Sequence, residues 1–197
     1  MIEPELVEWL LGRIEQYGFA PFAHGEAIGV DSNLADTVAV ALLNLVANDH
    51  RLFRIVREIT GCGPIGCFRG RVYRMLPNAG HYDSWHNDLG DERLITLSVN
   101  LSPEPYSGGI LQIRHRPSNR IVYEVANTGL GDAILFRISP DLEHRVTEVT
   151  GSVPKTAFAG WFRSKPDFRE LLVKSRTIAA AGSAESAAPA ATTAKLS

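Results

Sequence analysis

HNDLGDERLITLSVNLS, residues 86–102, decides how this chain is read. Its second half, Arg93 to Ser102, alternates apolar and polar residues in the manner of a half-buried β-strand. Its first half places His86 and Asp88 two residues apart, just ahead of that strand. In extended backbone, residues i and i+2 point to the same side, so an imidazole and a carboxylate converge on one point.

Outward from this stretch the chain is β-type. Short runs recur at 67–76, 109–116, 120–125, 132–138, 143–149 and 155–163, separated by Pro77-Asn78, Ser107-Gly108-Gly109, Pro117-Ser118-Asn119, Gly129-Leu130-Gly131 and Gly151-Ser152. Many short strands at this spacing predict a sandwich, barrel or jelly roll. The N-terminal part has a different period. Leu6, Leu10 and Ile14 lie four apart, with Val7 and Leu11 beside them, on a helix expected from Glu3 to Gln16 and ended by Gly18. Residues 19–33 read as mixed. Asn33 or Asp36 can cap a second helical stretch, which can break near Asn48-Asp49. Helices first and strands later exclude an alternating parallel sheet.

The predicted class is therefore mainly β (α+β), with the helical part, residues 1–60, buttressing a strand-rich core at about 61–165. The 197 residues suit one domain with an appendage, taken as 1–177 followed by a tail at 178–197. That tail, rich in Ala, Ser and Thr and without aromatics, reads as disordered. Residues 166–172 suit a short helix.

Composition narrows the function. The 20 Lys and Arg against 22 Asp and Glu give a net charge of −2, so no nucleic-acid partner is expected. Cys62 and Cys67 are too few for a disulfide scaffold or a four-cysteine zinc site and read as small buried hydrophobes. The acidic N-terminus MIEPELVEWLLG lacks the marks of a secretory signal, and no run approaches a membrane span, so a cytoplasmic protein is expected. Serine-nucleophile, phosphate-loop and dinucleotide motifs are missing.

Histidine carries the chemistry. His24, His50 and His115 take the ordinary reading of surface or satisfied core residues. Two H-x-D pairs compete, His81-Tyr82-Asp83 and His86-Asn87-Asp88. The first follows the turn Pro77-Asn78-Ala79-Gly80, whereas the second leads into a credible core strand and is preferred. His144, 58 residues on in another β-type run, is the candidate third ligand. Two histidines and a carboxylate make a facial triad that leaves positions open on iron(II).

Taken in order, Tyr73 with Pro77 and Gly80, HND (86–88), Arg93 to Ser102, YSGGIL (106–111), GDAILF (131–136), HRVTEV (144–149) and KTAFAGWFR (155–163) resemble the core of the iron(II)/2-oxoglutarate dioxygenases, in particular the prolyl-4-hydroxylase-like group. The resemblance covers about ninety of the 197 residues. It implies a double-stranded β-helix, a distorted jelly roll, with helices packed on one side. It implies Fe(II), 2-oxoglutarate as co-substrate, O2, and ascorbate as a candidate reductant, with His86, Asp88 and His144 on the metal. Lys155 stands where such enzymes anchor the distal carboxylate of 2-oxoglutarate, a contact that needs a cation. Many relatives carry a small hydroxyl residue two positions further on. Here Ala157 is there, and Thr156 is the candidate substitute. Asn100 stands where some relatives have a co-substrate tyrosine, and Tyr73 is a candidate co-substrate contact or a core aromatic. Trp85 can wall the pocket or simply pack, and Arg93 and Arg145 can support the ligands or face solvent. Residues 77–92 and 102–120 are expected to form part of the pocket rim.

The resemblance implies hydroxylation of an unactivated C–H bond in a peptidyl residue, amino acid or small metabolite, with release of succinate and CO2. The substrate and the oligomeric state stay open. Rival readings are a cupin-like iron enzyme without 2-oxoglutarate and a non-catalytic jelly-roll binding module. A nucleic-acid demethylase is disfavoured because Lys155 and Arg163 replace the two-arginine pattern of such families.

Overall fold

The computed structural model describes residues 4–24, 29–126 and 129–166. The tail expected at 178–197 and the short helix expected at 166–172 lie outside the described residues, apart from Pro166. Among the described residues, three helices and twelve strands follow one another as α1 (Pro4–Gln16), β1 (Phe19–His24), β2 (Gly29–Leu34), α2 (Thr37–Ala47), α3 (His50–Thr60), β3 (Cys67–Met75), β4 (Tyr82–His86), β5 (Arg93–Asn100), β6 (Ser107–Gly108), β7 (Leu111–His115), β8 (Arg120–Val125), β9 (Ala133–Arg137), β10 (Leu142–Val146), β11 (Val149–Thr150) and β12 (Lys155–Arg163).

Local signals set the helix ends. The Asp36 carboxylate accepts from Val38 N at 2.9 Å, capping α2, and from Arg13 Nε at 2.6 Å, which ties α1 to that cap. The expected break falls at Asn48-Asp49, where Asn48 ends α2 and Asp49 caps α3. Gly61, at φ 64°, closes α3 in the left-handed conformation that glycine adopts without strain.

The strands form one curled antiparallel sheet in the order β8-β7-β10-β4-β2-β3-β12-β5-β9, with β1 on β2, and a separate β6–β11 pair. β2 joins the two halves. Gly29 and Val30 pair with β4, while Ser32 and Asn33 pair with β3. The sheet so wraps into a jelly-roll double-stranded β-helix, as expected.

Alternation along the strands sorts side chains into two layers. On the helix side, Phe68 and Val72 of β3, Ile95 and Leu97 of β5, and Phe158 and Phe162 of β12 pack with Leu10, Ile14, Leu43 and Val56 of the helices. Two asparagines one turn apart lock α2 to the sheet. Asn44 exchanges hydrogen bonds with the backbone N–H and C=O of Gly70 at 2.8 and 2.9 Å, and Asn48 does the same with Phe68 at 2.9 Å. The amides stand in for a neighbouring strand where β3 has no partner in β2. Cys62 and Cys67 are buried and not disulfide-bonded, as expected. No helix among the described residues is long and apolar enough to cross a membrane.

Candidate active site

The opposite layer of the sheet faces a cavity of about 410 Å³, a size suited to small-molecule sites. β12 contributes Lys155, Ala159 and Trp161 to its wall, β3 Arg71, Tyr73 and Met75, and β5 Thr96 and Ser98.

At one end of the cavity His86 of β4 pairs directly across the sheet with His144 of β10, and their rings lie 4.2 Å apart. Asp88, two residues beyond His86, sits between them. Its Oδ1 is 3.6 Å from His86 Nε2 and its Oδ2 is 3.4 Å from His144 Nε2. The predicted pair and the predicted third residue thus meet at one point. His86 Nδ1 lies 2.8 Å from Ser84 O, which fixes Nδ1 as the protonated nitrogen and leaves the Nε2 lone pair toward Asp88. Burial, and then the neighbouring His86, push His144 down to about 4, so its imidazole is neutral and able to ligate at physiological pH. Two imidazole nitrogens and a carboxylate at these separations fit iron(II), and an ion so held would supply oxidative chemistry.

The rejected H-x-D divides in an unexpected way. His81 accepts from Leu76 N at 2.9 Å in the turn and does not line the cavity. Asp83 does line it, with Oδ1 3.4 Å from His86 Nδ1. Asp83, His86 and His144 also offer donor atoms within 4.8 Å of one another. Asp83 is therefore a member of the site that sequence reasoning missed, although it lay in the pair that was passed over.

Lys155 opens β12 on the cavity wall and is only 3% exposed. Its ammonium donates to Gly109 O at 2.8 Å and lies 5.7 Å from the centre of the Tyr106 ring. Gly109 is at φ 58°, and a Cβ there would come within 3.0 Å of Lys155 Cδ and 2.9 Å of Tyr106 Cε2, so the cradle requires glycine. Burial pushes the ammonium down to about 8, against the opposing charge of Asp83. Tyr73 lines the cavity, and burial raises its phenol well above the usual value, which keeps its O–H a donor.

Two expected co-substrate residues stand elsewhere. Thr156 lies between Lys155 and Ala157, so strand alternation turns it to the other layer, where its Oγ1 accepts from Arg74 Nε at 2.8 Å. Asn100 is on the cavity layer, but its amide is consumed locally, donating to Gly129 O at 2.9 Å and accepting from Ser102 N at 3.0 Å. Neither lines the cavity. Of the two stretches expected at the rim, 77–92 contributes Tyr82, Asp83, His86, Asn87 and Asp88. Of residues 102–120 only Leu111 contributes, and the N-terminal hairpin supplies Phe22, Ala23 and Asp31 instead. Asp31 takes both terminal nitrogens of Arg71, at 2.6 and 2.9 Å.

Trp85 packs outside the cavity, between the guanidinium groups of Arg114 and Arg145 at 4.4 and 4.7 Å. Arg145 turns to Gln112 Oε1 at 2.6 Å. Arg93, by contrast, supports Asp88 from 3.4 Å while stacked 3.8 Å over Trp161. Trp161 donates to Asp88 Oδ2 at 2.7 Å. The signal for Trp161 was its odd-numbered place on β12, the same parity as Lys155.

Two histidines, a carboxylate and a buried cation thus share one cavity of a double-stranded β-helix, and the first three are the donor types of a facial iron(II) triad. Residues 70–163 match the family model of the 2OG-Fe(II) oxygenase superfamily. No curated protein is significantly similar to the chain. Its fold is similar to that of a Pseudomonas putida prolyl-4-hydroxylase at TM-score 0.60 and 16% identity, covering 83% of this chain and 89% of that one. It is similar to a Trichoplax adhaerens prolyl hydroxylase in complex with a hypoxia inducible factor peptide fragment, at TM-score 0.57 and 17% identity over 80% and 76% of the two chains. HygX from Streptomyces hygroscopicus, solved with nickel, 2-oxoglutarate and hygromycin B, aligns at TM-score 0.52 and 16% identity over 85% and 80%.

Proposed function

We propose that this protein is an iron(II)- and 2-oxoglutarate-dependent dioxygenase that hydroxylates an unactivated C–H bond. The substrate would be a peptidyl residue, amino acid or small metabolite. One C–H bond becomes C–OH with one atom of O2, while the other oxidises and decarboxylates 2-oxoglutarate to succinate and CO2. The observation that carries the reading is the His86, Asp88 and His144 cluster sharing one cavity with the buried ammonium of Lys155.

His86, Asp88 and His144 would hold the metal, and iron(II) would supply oxygen activation when bound. Lys155 would take the distal carboxylate of 2-oxoglutarate, exchanging its Gly109 contact for a charge-assisted one. Tyr73 would donate its phenol to the same co-substrate from the neighbouring strand. Leu111, Ile134, Phe136 and Val146 line the cavity with apolar surface, which limits water around the reacting centre. Phe22, Tyr82 and the Asp31–Arg71 pair stand where a substrate would be met. The ligands of the similar structures include both a peptide and hygromycin B, so the shared fold leaves the substrate class open.

The test is anaerobic addition of iron(II) and 2-oxoglutarate to the apoprotein. A weak visible metal-to-ligand band is expected in the wild type and absent in His86→Ala. No band in well-folded wild-type protein would remove the reading. Succinate release in air, with ascorbate present, then ranks a panel of peptides and small molecules.

A further inference from the structure

The carboxylate of Asp88 is held asymmetrically. It is buried, and Oδ2 accepts from Trp161 Nε1 at 2.7 Å and lies 3.4 Å from Thr96 Oγ1. Thr96 and Trp161 are direct partners across β5 and β12, so sheet register alone aims both donors at one oxygen. Oδ2 is also 3.4 Å from His144 Nε2, while Oδ1 has no contact as short as the indole bond, lying 3.4 Å from Arg93 Nη1 and 3.6 Å from His86 Nε2. Arg93 lies flat over the Trp161 ring at 3.8 Å, which fixes the plane of the indole. An indole N–H can only donate, so this contact has one polarity and cannot invert.

We infer that Trp161 is a positioning residue for the metal-binding carboxylate. This inference rests on the iron reading above. The indole N–H takes one lone pair of Oδ2 and so holds the carboxylate where Oδ1 is 3.6 Å from His86 Nε2 and Oδ2 is 3.4 Å from His144 Nε2. Without it, Asp88 is free to turn away from the two imidazoles that it would share a metal with.

The experiment measures metal binding rather than turnover, with cobalt(II) as the probe. Anaerobic apoprotein is titrated by calorimetry and visible absorption in the wild type, Trp161→Phe, and a variant carrying β-(3-benzothienyl)alanine at 161. The benzothienyl ring keeps the shape and the Arg93 stack but has sulfur where the N–H was. Both replacements should weaken cobalt(II) binding by about ten- to a hundred-fold, the usual effect of losing such a supporting contact. Both should also change the cobalt d–d bands, because the carboxylate is released to turn. Unchanged affinity and unchanged bands in the benzothienyl protein would overturn the inference, even if Trp161→Phe fails to fold. The iron reading fails differently, through a wild-type protein that binds no cobalt(II) or an Asp88→Ala protein that binds it normally.

Discussion

Replacing Lys155 by methionine should make this protein more stable at neutral pH and a weaker binder of 2-oxoglutarate. Burial lowers the ammonium from 10.5 to about 8, a penalty of about 3 kcal/mol on the folded, protonated state. Below pH 8 the lysine is charged both folded and unfolded, and the penalty is present in full. Between pH 8 and 10.5 the unfolded chain keeps a proton that the folded protein has lost, so wild-type stability rises with pH across that window. Above 10.5 both states are neutral and the penalty is gone. Methionine has a similar reach and no charge, but it forfeits the hydrogen bond to Gly109 O, about 1 kcal/mol. The net expectation is a gain of about 2 kcal/mol at pH 7 that disappears by pH 10.5. Urea unfolding of both proteins at pH 7 and pH 10.5, followed by tryptophan fluorescence, measures it. Calorimetry at pH 7 should show 2-oxoglutarate affinity reduced by about ten- to a hundred-fold, the worth of a charge-assisted hydrogen bond. A variant less stable than wild type at pH 7, or a gain that does not fall with pH, would refute the reasoning.

Two further outcomes are expected. Phe162→Ala removes a ring with 0% exposure, packed against Phe68 and Phe53 at 4.8 and 5.9 Å, and should lower unfolding stability by about 3–5 kcal/mol in the same urea assay. Asp88→Ala should abolish cobalt(II) binding in calorimetry while Asp83→Ala weakens it less than about ten-fold; the reverse order would move the ligand role to Asp83.

Much of the fold was legible because its signals are local. β12 follows the expected run 155–163 residue for residue, and β3 departs from its expected run only at Leu76. The helix break at Asn48-Asp49 and the Asp36 cap were readable because the capping bond joins a carboxylate to a backbone N–H two residues on. β1, β2 and β4 were not legible. β2, Gly-Val-Asp-Ser-Asn-Leu, has little strand propensity of its own. It is extended because it fills the gap between β4 and β3, and such pairing is non-local. β4 follows a strong turn, and its five residues belong to none of the expected strand runs.

The site divides along the same line. The sequence by itself determined the two-residue spacing of His86 and Asp88, the strand-borne His144, and the basic residue opening the last strand. Those are period-two facts, independent of what lies across the sheet. Only the tertiary structure decided which face each side chain met. It turned Thr156 toward Arg74 and spent Asn100 on Gly129 O and Ser102 N. It also brought Asp83 beside His86, Trp161 onto Asp88 and the Asp31–Arg71 pair to the cavity wall. These contacts join residues up to 82 positions apart. No local pattern encodes such contacts, because they exist only once the sheet has curled and its registers are set.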